Sequence, residues 1–437
     1  MSKSHGDHVF GFGTRAIHAG AQPDPVTGAR ATPIHQTTSF VFDDAEHASR
    51  LFNLATFGNV YSRISNPTVA VFEERMASLE NGRAALACAS GMAAQMTALF
   101  ALLKTGDHVV AASTLYGGSV GQLGIGFERL GIETTFVDPA DPANFERAMR
   151  AETRVVFGET LGNPLVNVLD IAAVAEVAHA HGVPLIVDNT VASPYLCNPL
   201  DLGADIVVHS ATKYIGGHGT TMGGVLIESG RFPWDNGKFP DMTEPSRAYH
   251  GVKFYETFGD FGYTMKARME VNRTYGGVLS PMNAWLLLQG AETLHLRMQA
   301  HCRNALAVAK HLKQHPKVAW VNYPGLPDSP CHALAKKQFR EVDGAPGASG
   351  LLTFGIRGGA AAGEKFIDAC EFLSHLANIG DAKTLVIHPA STTHRQLSDE
   401  ELARAGVRPD MVRLSVGIED VDDILWDIDQ ALARACA

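Results

Sequence analysis

Short apolar runs alternate with amphipathic stretches between residues 66 and 230. The apolar runs have the length of single strands. The stretches between them predict helices; Ile171–Ala180, for example, follows Asp170 and precedes Gly182, which are typical helix-start and helix-end residues. This alternation predicts a mostly parallel sheet covered by helices on both faces. The predicted strands are Ala85–Ala89, His108–Ala112, Glu133–Val137, Arg154–Gly158, Pro184–Asp188, Asp205–His209 and Gly223–Ile227.

The pattern differs on both sides of this region. Residues 10–65 have little periodicity and several prolines, which indicates an arm that packs on another surface. Residues 231–265 are rich in aromatic and turn-forming residues, and a long helix is expected from Met265 to Gly276. Beyond Ser280 the pattern predicts helices near 283–315 and then short strands such as Gly350–Phe354.

These changes predict three parts in a chain of 437 residues, which is too long for one simple core. We expect an amino-terminal arm (1–65), a larger α/β domain (66–278) and a smaller carboxy-terminal α+β domain (279–437). The first eight residues are polar, which predicts disorder there.

Composition narrows the classes of function. With 46% hydrophobic and 19% charged residues, the chain resembles an ordinary soluble globular protein. A net charge of −10 argues against nucleic acid or an anionic membrane as the main partner. Residues 84–103 carry no charge, but a buried strand and helix explain them better than a membrane span. Six scattered cysteines without a CxxC pair favour free thiols in a reducing cytoplasm.

Candidate chemistry lies where the predicted strands end. Lys213 follows a strand, Ser210 and Thr212, and precedes a glycine-rich turn; Asp188 ends another strand. An amine and a carboxylate at adjacent strand ends suit pyridoxal 5′-phosphate, since lysine binds its aldehyde as a Schiff base and aspartate holds the ring nitrogen protonated. A third segment, Ser90-Gly91-Met92, begins an alanine-rich helix whose free N–H groups form an anion site.

Several motifs extend this pattern along residues 10–434, and together they resemble the Cys/Met-metabolism PLP-dependent enzymes. The resemblance implies the PLP-dependent fold type I, which is the aspartate aminotransferase-like fold. The motifs, in the family's order, are Tyr61-Ser-Arg63-Ile-Ser-Asn66-Pro67-Thr68, Ser90-Gly91-Met92-Ala, Tyr116-Gly, Glu159-Thr-Leu-Gly-Asn163-Pro164, Val187-Asp188-Asn-Thr190, the Lys213 segment, His388-Pro-Ala-Ser-Thr-Thr-His394 and Arg413-Leu-Ser-Val-Gly-Ile-Glu419.

The resemblance also implies a role for each matching residue. Lys213 is the Schiff-base lysine and proton shuttle, and Tyr116 stacks on the cofactor ring and assists catalysis. Arg413 and Asn378 hold the substrate carboxylate. The predicted cofactor-binding residues are Tyr61, Arg63, Ser90, Gly91, Met92, Tyr116, Asn163, Asp188, Thr190, Ser210, Thr212 and Lys213. Tyr61 and Arg63, two apart in a strand-like segment, are expected to reach the cofactor of a neighbouring subunit. A homodimer therefore completes the site, and dimers pair into a homotetramer.

Other interpretations remain open at this point. Instead of a catalytic residue, Lys213 could be a charged surface residue. Asp188 could be a residue that caps a helix or a turn. Gly117-Gly-Ser119-Val-Gly121 fits the GxSxG pattern of serine hydrolases, although no partner histidine is specified by spacing. Besides a PLP-dependent enzyme and a serine hydrolase, a catalytically inactive binding protein with the PLP-enzyme fold is a third possible class of protein. We expect no metal site, because the histidines have no metal-binding spacing.

Three features in which the chain differs from other members of the family indicate its branch. The segment near 231–265 lengthens the chain, and with residues 289–294 and 378–386 it resembles the O-acetylhomoserine sulfhydrylases. Gly118 stands where methionine γ-lyases place a cysteine. We expect γ-replacement on O-acetyl-L-homoserine by sulfide, giving L-homocysteine and acetate, with methanethiol as an alternative thiol that would give methionine. A cystathionine γ-synthase or a methionine or cystathionine γ-lyase is the main rival.

Overall fold

The computed structural model describes residues 4–5, 8–392, 395 and 406–435. The strands are β1 Ser4–His5, β2 His8–Val9, β3 Ala84–Cys88, β4 His108–Ala112, β5 Glu133–Val137, β6 Thr153–Glu159, β7 Leu185–Asp188, β8 Ile206–His209, β9 Gly224–Glu228, β10 Val318–Asn322, β11 Glu341–Val342, β12 Ala345–Pro346, β13 Leu351–Ile356, β14 Ser374–His375, β15 Leu385–Ile387 and β16 Met411–Ser415.

Helices connect and cover these strands. The α-helices are α1 Phe12–His18, α2 Ala45–Phe52, α3 Pro67–Leu79, α4 Gly91–Phe100, α5 Gly117–Gly121, α6 Ala143–Ala148, α7 Ile171–Ala180, α8 Ser193–Leu196, α9 Pro240–Thr243, α10 Phe254–Phe258, α11 Gly262–Lys266, α12 Arg273–Tyr275, α13 Pro281–Glu292, α14 Leu294–Gln314, α15 His332–Gln338, α16 Gly359–Ala369 and α17 Val421–Ala435. Short π- or 3₁₀-helical turns are Gln122–Gly126, Pro199–Leu202, Gly259–Phe261, Ala267–Asn272 and Pro389–Ser391.

The larger sheet has seven strands in the order β3-β9-β8-β7-β6-β4-β5. Neighbours from β8 to β5 are parallel, whereas β9 is antiparallel to both β3 and β8. Every residue of β4, β8 and β9 is buried, which requires apolar runs rather than alternation. The parallel arrangement brings the carboxyl ends of β6, β7 and β8 together at one edge of the sheet.

A second sheet of five strands, in the order β10-β13-β16-β15-β14, lies in the carboxy-terminal part. It is antiparallel except for the β14–β15 pair. Helix α14 joins the two hydrophobic cores: Met298 and Cys302 pack in the first, and Ala305 and Val308 in the second. The mostly parallel α/β architecture and the change to α+β structure are therefore confirmed, while the boundary near 278 stays a prediction.

Aromatic side chains attach residues 231–265 to the larger sheet and its helices. The rings of Trp234 and Tyr263 stack with centroids 5.3 Å apart, and Phe232 lies 4.6 Å from Trp234. The Tyr263 hydroxyl donates to the carbonyl of Ala98 in α4 at 2.9 Å. The segment that breaks the sequence pattern thus braces the helix that begins at Gly91. The long helix expected next is present as a continuous helical stretch over 262–275, with a π-helical turn in its middle.

Two other expectations concern whole-chain properties. The uncharged stretch forms β3 and α4, as predicted, and no helix in the described ranges is long and apolar enough to cross a membrane. The five cysteines in those ranges are free thiols. The sixth, Cys436, lies outside the described residues, as do parts of the polar amino terminus and of the His388–His394 motif.

Candidate active site

A cavity of about 550 Å³ opens at the carboxyl edge of the larger sheet. Residues from both sheets line it, and they include most of those singled out in the sequence. Its lining comprises Ser90, Gly91, Met92, Gln95, Tyr116, Gly117, Gly118, Ser119, Glu159, Leu161, Asn163, Asp188, Thr190, Val191, Ser210, Thr212, Lys213, Met222, Ala377, Asn378, Ile379 and Arg413.

Lys213 lies in the turn after β8, with its backbone N–H donating to the carbonyl of Ser210 at 3.1 Å. Its amine donates to the side-chain oxygen of Asn378, an amide rather than a carboxylate. Burial, and secondarily the positive charge of Arg413, lower the pKa of Lys213 to about 8. An unprotonated amine is therefore accessible near neutral pH, which a lysine nucleophile requires.

Asp188 ends β7 inside the cavity, and its carboxylate accepts the backbone N–H of Thr190 at 2.8 Å. Burial raises the pKa of Asp188 above the usual value for aspartate. Within the described ranges no lysine or arginine forms an ion pair with it. A half-buried carboxylate without a cation suits a ligand that brings a positive charge, such as a protonated ring nitrogen.

An anion cradle is formed by the start of α4. The Ser90 hydroxyl accepts the N–H of Ala93 at 3.1 Å and so caps the helix. Gly91 is required here, since a Cβ at this position would lie 2.5 Å from the Cβ of Ser210. The close packing places free N–H groups beside the Ser210 side chain, as a phosphate site needs.

Thr212 differs from Ser210 in having its hydroxyl already engaged. Its hydroxyl donates to the Gly223 carbonyl at 3.1 Å and accepts the Gly223 N–H at 3.0 Å. A phosphate contact through its hydroxyl proton would replace the first of these bonds. Thr212 therefore lines the predicted cradle but is held by the turn that follows it.

Arg413 crosses from the smaller sheet to the cavity and is 7% exposed. Its guanidinium donates to the side-chain oxygen of Asn163 at 2.9 Å and to the backbone carbonyl of Asn378 at 3.3 Å. Burial lowers the pKa of Arg413 to about 10. A buried guanidinium bonded only to neutral oxygens in the described structure retains the charge and donors to grip a carboxylate.

Tyr116 is placed by contacts at its backbone. Its N–H donates to a carboxyl oxygen of Glu159 at 2.7 Å, while the residue as a whole is 51% exposed. Gly118 accommodates the ring, because a Cβ there would lie 2.5 Å from the ring carbon Cε1 of Tyr116. The half-exposed ring therefore stands at the cavity wall.

Tyr61 and Arg63 are the predicted site residues that the structure does not bring to this cavity. The prediction of a strand-like segment is wrong: Tyr61 forms an isolated bridge with Ser39, and a turn follows. The turn folds the guanidinium of Arg63 over the Tyr61 ring, 5.5 Å from its centroid. Arg63 also donates to the backbone carbonyl of Arg273. Within one chain, both residues lie outside the set that lines the cavity.

Sequence reasoning missed Gln95 and gave no supporting role to Ser119 or Glu159, although all of them line the cavity. Ser119 donates to the side chain of Gln95 at 2.8 Å and is 1% exposed, so the GxSxG serine is a buried structural residue rather than an exposed nucleophile. Glu159 ends β6 as Asp188 ends β7, and this shared position at a strand end is the signal that could have found it.

Comparisons with known proteins agree with this geometry. The sequence profile of the Cys/Met metabolism PLP-dependent enzymes matches residues 13–433. The chain is 54% identical to the O-acetyl-L-homoserine sulfhydrylase of Leptospira meyeri, over 96% of each chain. It is 50% identical to the homocysteine synthase of Schizosaccharomyces pombe, over 97% of this chain and 98% of that one.

A solved structure extends the likeness to the fold. It is a protein assigned as an O-acetylhomoserine (thiol)-lyase from Campylobacter jejuni, with N′-pyridoxyl-lysine-5′-monophosphate in its chain. The two chains are 38% identical, and the TM-score is 0.93 over 97% of this chain and all of the other. The fold is therefore the PLP-dependent fold type I, the cofactor is pyridoxal 5′-phosphate, and the chain belongs to the Cys/Met metabolism PLP-dependent enzyme family.

Proposed function

We propose that the enzyme catalyses γ-replacement on O-acetyl-L-homoserine, exchanging acetate for sulfide to give L-homocysteine. The observation that carries this proposal is the near-complete alignment, at about half identity, with relatives named O-acetyl-L-homoserine sulfhydrylase and homocysteine synthase. The cavity supports it, since amine, carboxylate and guanidinium converge there as such a reaction requires.

Lys213 is the group that moves protons in this proposal. Bound pyridoxal 5′-phosphate supplies an electron sink that acidifies the substrate carbon next to the amino group. With the pKa of Lys213 lowered to about 8, a substantial fraction of the amine is unprotonated near pH 8, so it can take the proton from that carbon and return it later. Its bond to Asn378 fixes the direction of the amine within the cavity.

The remaining cavity residues bind and orient. Arg413 would hold the substrate carboxylate, assisted by Asn378, and the Tyr116 ring would cover the cofactor ring. Asp188 would hold the ring nitrogen, with Thr190 bonded to the same carboxylate. Ser90, Gly91, Met92, Ser210 and Thr212 would surround the phosphate, and Asn163 would reach the ring oxygen while bonded to Arg413.

The positions of Tyr61 and Arg63 bear on the oligomeric state that we propose for the enzyme. Tyr61 is 40% exposed, and the pair lies outside the cavity of its own chain. We propose that both reach the cofactor phosphate of a second copy, so that a homodimer completes each site and dimers pair into a homotetramer. Free cysteines favour a reducing cytoplasm as the compartment.

A product assay tests the reaction. The purified enzyme is supplied with O-acetylhomoserine and sulfide, and homocysteine and acetate are expected in equal amounts. Parallel reactions replace the ester by O-succinylhomoserine, and the sulfide by methanethiol or cysteine, to assign the acyl group and the thiol. Formation of mainly 2-oxobutanoate and ammonia in the presence of sulfide would contradict the proposal and indicate a γ-lyase.

A further inference from the structure

Glu159 is a buried acid in the cavity to which the proposed reaction gives no role. It ends β6 directly beside Asp188 of β7, and the two residues are register partners in the parallel sheet. Side chains of register partners extend to the same face of a sheet. Both residues line the cavity accordingly, so two carboxyl groups share one small space.

The two carboxyl groups have no cation between them. In the described structure Glu159 accepts a hydrogen bond from the backbone N–H of Tyr116 but forms no ion pair. Two other buried acids of this sheet and its helices differ from Glu159: Glu80 pairs with His209 at 2.6 Å, and Asp205 with His179 at 2.8 Å. Two adjacent carboxylates, one buried and the other half-buried, cannot both ionise without a large electrostatic cost.

If only one of the two acids is ionised, their surroundings indicate which one it is. The other titratable groups that line this cavity are Asp188, Tyr116, Lys213 and Arg413, and His209 acts on Asp188 from the opposite face of the sheet. Asp188 is the one proposed to meet a cationic ring nitrogen. Burial, and secondarily the charge of Asp188, raise the pKa of Glu159 well above its usual value. A neutral acid still accepts the Tyr116 N–H through its carbonyl oxygen.

We propose that Glu159 is a positioning residue that remains protonated, fixes the turn carrying Tyr116, and leaves Asp188 as the ionised carboxylate of the two acids that line the described cavity. The Glu159 side chain acts through Tyr116, whose backbone it holds at the start of α5. This inference rests on the proposed cofactor site but not on the identity of the ester or the thiol.

The first test reads the proton directly by infrared spectroscopy of the holoenzyme at neutral pH. Glu159→Gln is expected to remove one carbonyl band of a protonated carboxylic acid from the wild-type spectrum. The matched control is Glu228→Gln, since Glu228 is buried in β9 away from the cavity and its pKa is raised to about 8. That variant is expected to remove a different acid band and to leave the visible cofactor spectrum unchanged. Loss of an ionised carboxylate band in Glu159→Gln would overturn the proposal.

A second test separates the shape of the side chain from its charge. Gln keeps the oxygen that accepts the Tyr116 N–H, so Glu159→Gln is expected to retain kcat within about threefold and the wild-type pH profile. Glu159→Ala loosens the turn and is expected to lower kcat by about 10- to 100-fold, with an altered visible spectrum of the cofactor. If Gln is as damaging as Ala, a charged Glu159 is needed and the proposal is wrong.

The two proposals fail independently. If the assay with O-acetylhomoserine and sulfide yields no homocysteine but the infrared band behaves as expected, only the proposed function is lost. If homocysteine forms but the band is absent, only the inference on Glu159 is lost.

Discussion

The two faces of the larger sheet differ in how their charged side chains are paired, and the difference is clearest where three adjacent strands end. At the carboxyl ends of β6, β7 and β8, side chains alternate across the sheet as the pleat requires. Glu159, Asp188 and Ser210 line the cavity. The residues beside them in sequence, Thr160, Asn189 and His209, extend to the opposite face, which we call the rear face.

On the rear face, the buried acid Glu80 lies among side chains that donate hydrogen bonds to it. Glu80, fully buried, accepts from His209 at 2.6 Å, from Asn189 at 2.7 Å and from Asn198 at 3.2 Å. The Asn189 oxygen in turn accepts the hydroxyl proton of Thr160 at 2.9 Å. A buried network of this kind ties the strand ends to helix α3, which Glu80 follows.

The cavity face carries charges that its own side chains leave uncompensated. Lys213 and Arg413 bond to amide and carbonyl oxygens, and Asp188 to a backbone N–H. Such an arrangement costs stability and is expected where ligands supply the missing charges. Neighbouring residues in one chain thus divide into a face that stabilises the fold and a face that does the chemistry.

The largest expected effect lies on the cavity face. Lys213→Arg keeps a positive charge but removes an amine that can lose its proton and bind an aldehyde. We expect kcat to fall by about 10³- to 10⁴-fold. Because no carboxylate pairs with Lys213 in the described structure, the urea unfolding midpoint should be unchanged. Steady-state kinetics and urea titration check both statements. A large loss of stability with activity retained would show that Lys213 stabilises the fold rather than acts in the chemistry.

On the rear face the expected effect is on folding. His209→Leu leaves Glu80 buried without its imidazole partner, and the free energy of unfolding should fall by about 3–5 kcal/mol. The adjacent Ser210→Ala is the control on the cavity face, where a change below about 0.5 kcal/mol is expected. Equal stability of the two variants in chemical denaturation would remove the distinction between the faces.

Arg413 should separate binding from chemistry. Arg413→Lys loses the two-pronged grip on a carboxylate, so KM for the amino-acid ester is expected to rise by about 10- to 100-fold, with a smaller change in kcat. Arg408→Lys is the control, since Arg408 lies on the same segment and is largely exposed. An unchanged KM in Arg413→Lys would move the carboxylate site elsewhere.

The smallest effect is expected at Gly118. In Gly118→Ala the new Cβ meets the Tyr116 ring, which must shift within the cavity wall. We expect kcat/KM to fall about tenfold. Gly121→Ala, in the same helix, has open space around its Cβ and should behave as wild type. Equal kinetics for the two variants would show that the position of the Tyr116 ring is not critical.

Sequence patterns predicted the sheet and its chemical edge because both depend on local signals. The buried strands are continuous apolar runs, and Asp188 and Lys213 stand directly after two of them. The same reasoning predicted Gly91, whose lack of a side chain the close approach of Ser210 explains. Arg413 was predicted from the motif Arg413-Leu-Ser-Val-Gly-Ile-Glu419, whose resemblance to the family implies a carboxylate contact.

Contacts between distant segments could not be predicted in this way. The bond from Lys213 to Asn378 joins the two sheets, and Glu159 meets the Tyr116 backbone through a loop whose path no periodicity describes. The turn at Tyr61 and Arg63 was missed because two residues in alternate positions fit a strand as well as a turn. The rear-face network around Glu80 also depends on how α3 packs against the sheet.

Covalent attachment of the cofactor is the most direct test of the account. The holoenzyme is treated with borohydride, which reduces the bond between the cofactor aldehyde and a lysine to a stable amine, and is then digested for peptide mass spectrometry. We predict that the pyridoxyl phosphate mass is found on the peptide containing Lys213, with the other lysines unmodified. Label on another lysine, or no label in protein that carries the cofactor, would contradict the placement of the chemistry on the cavity face.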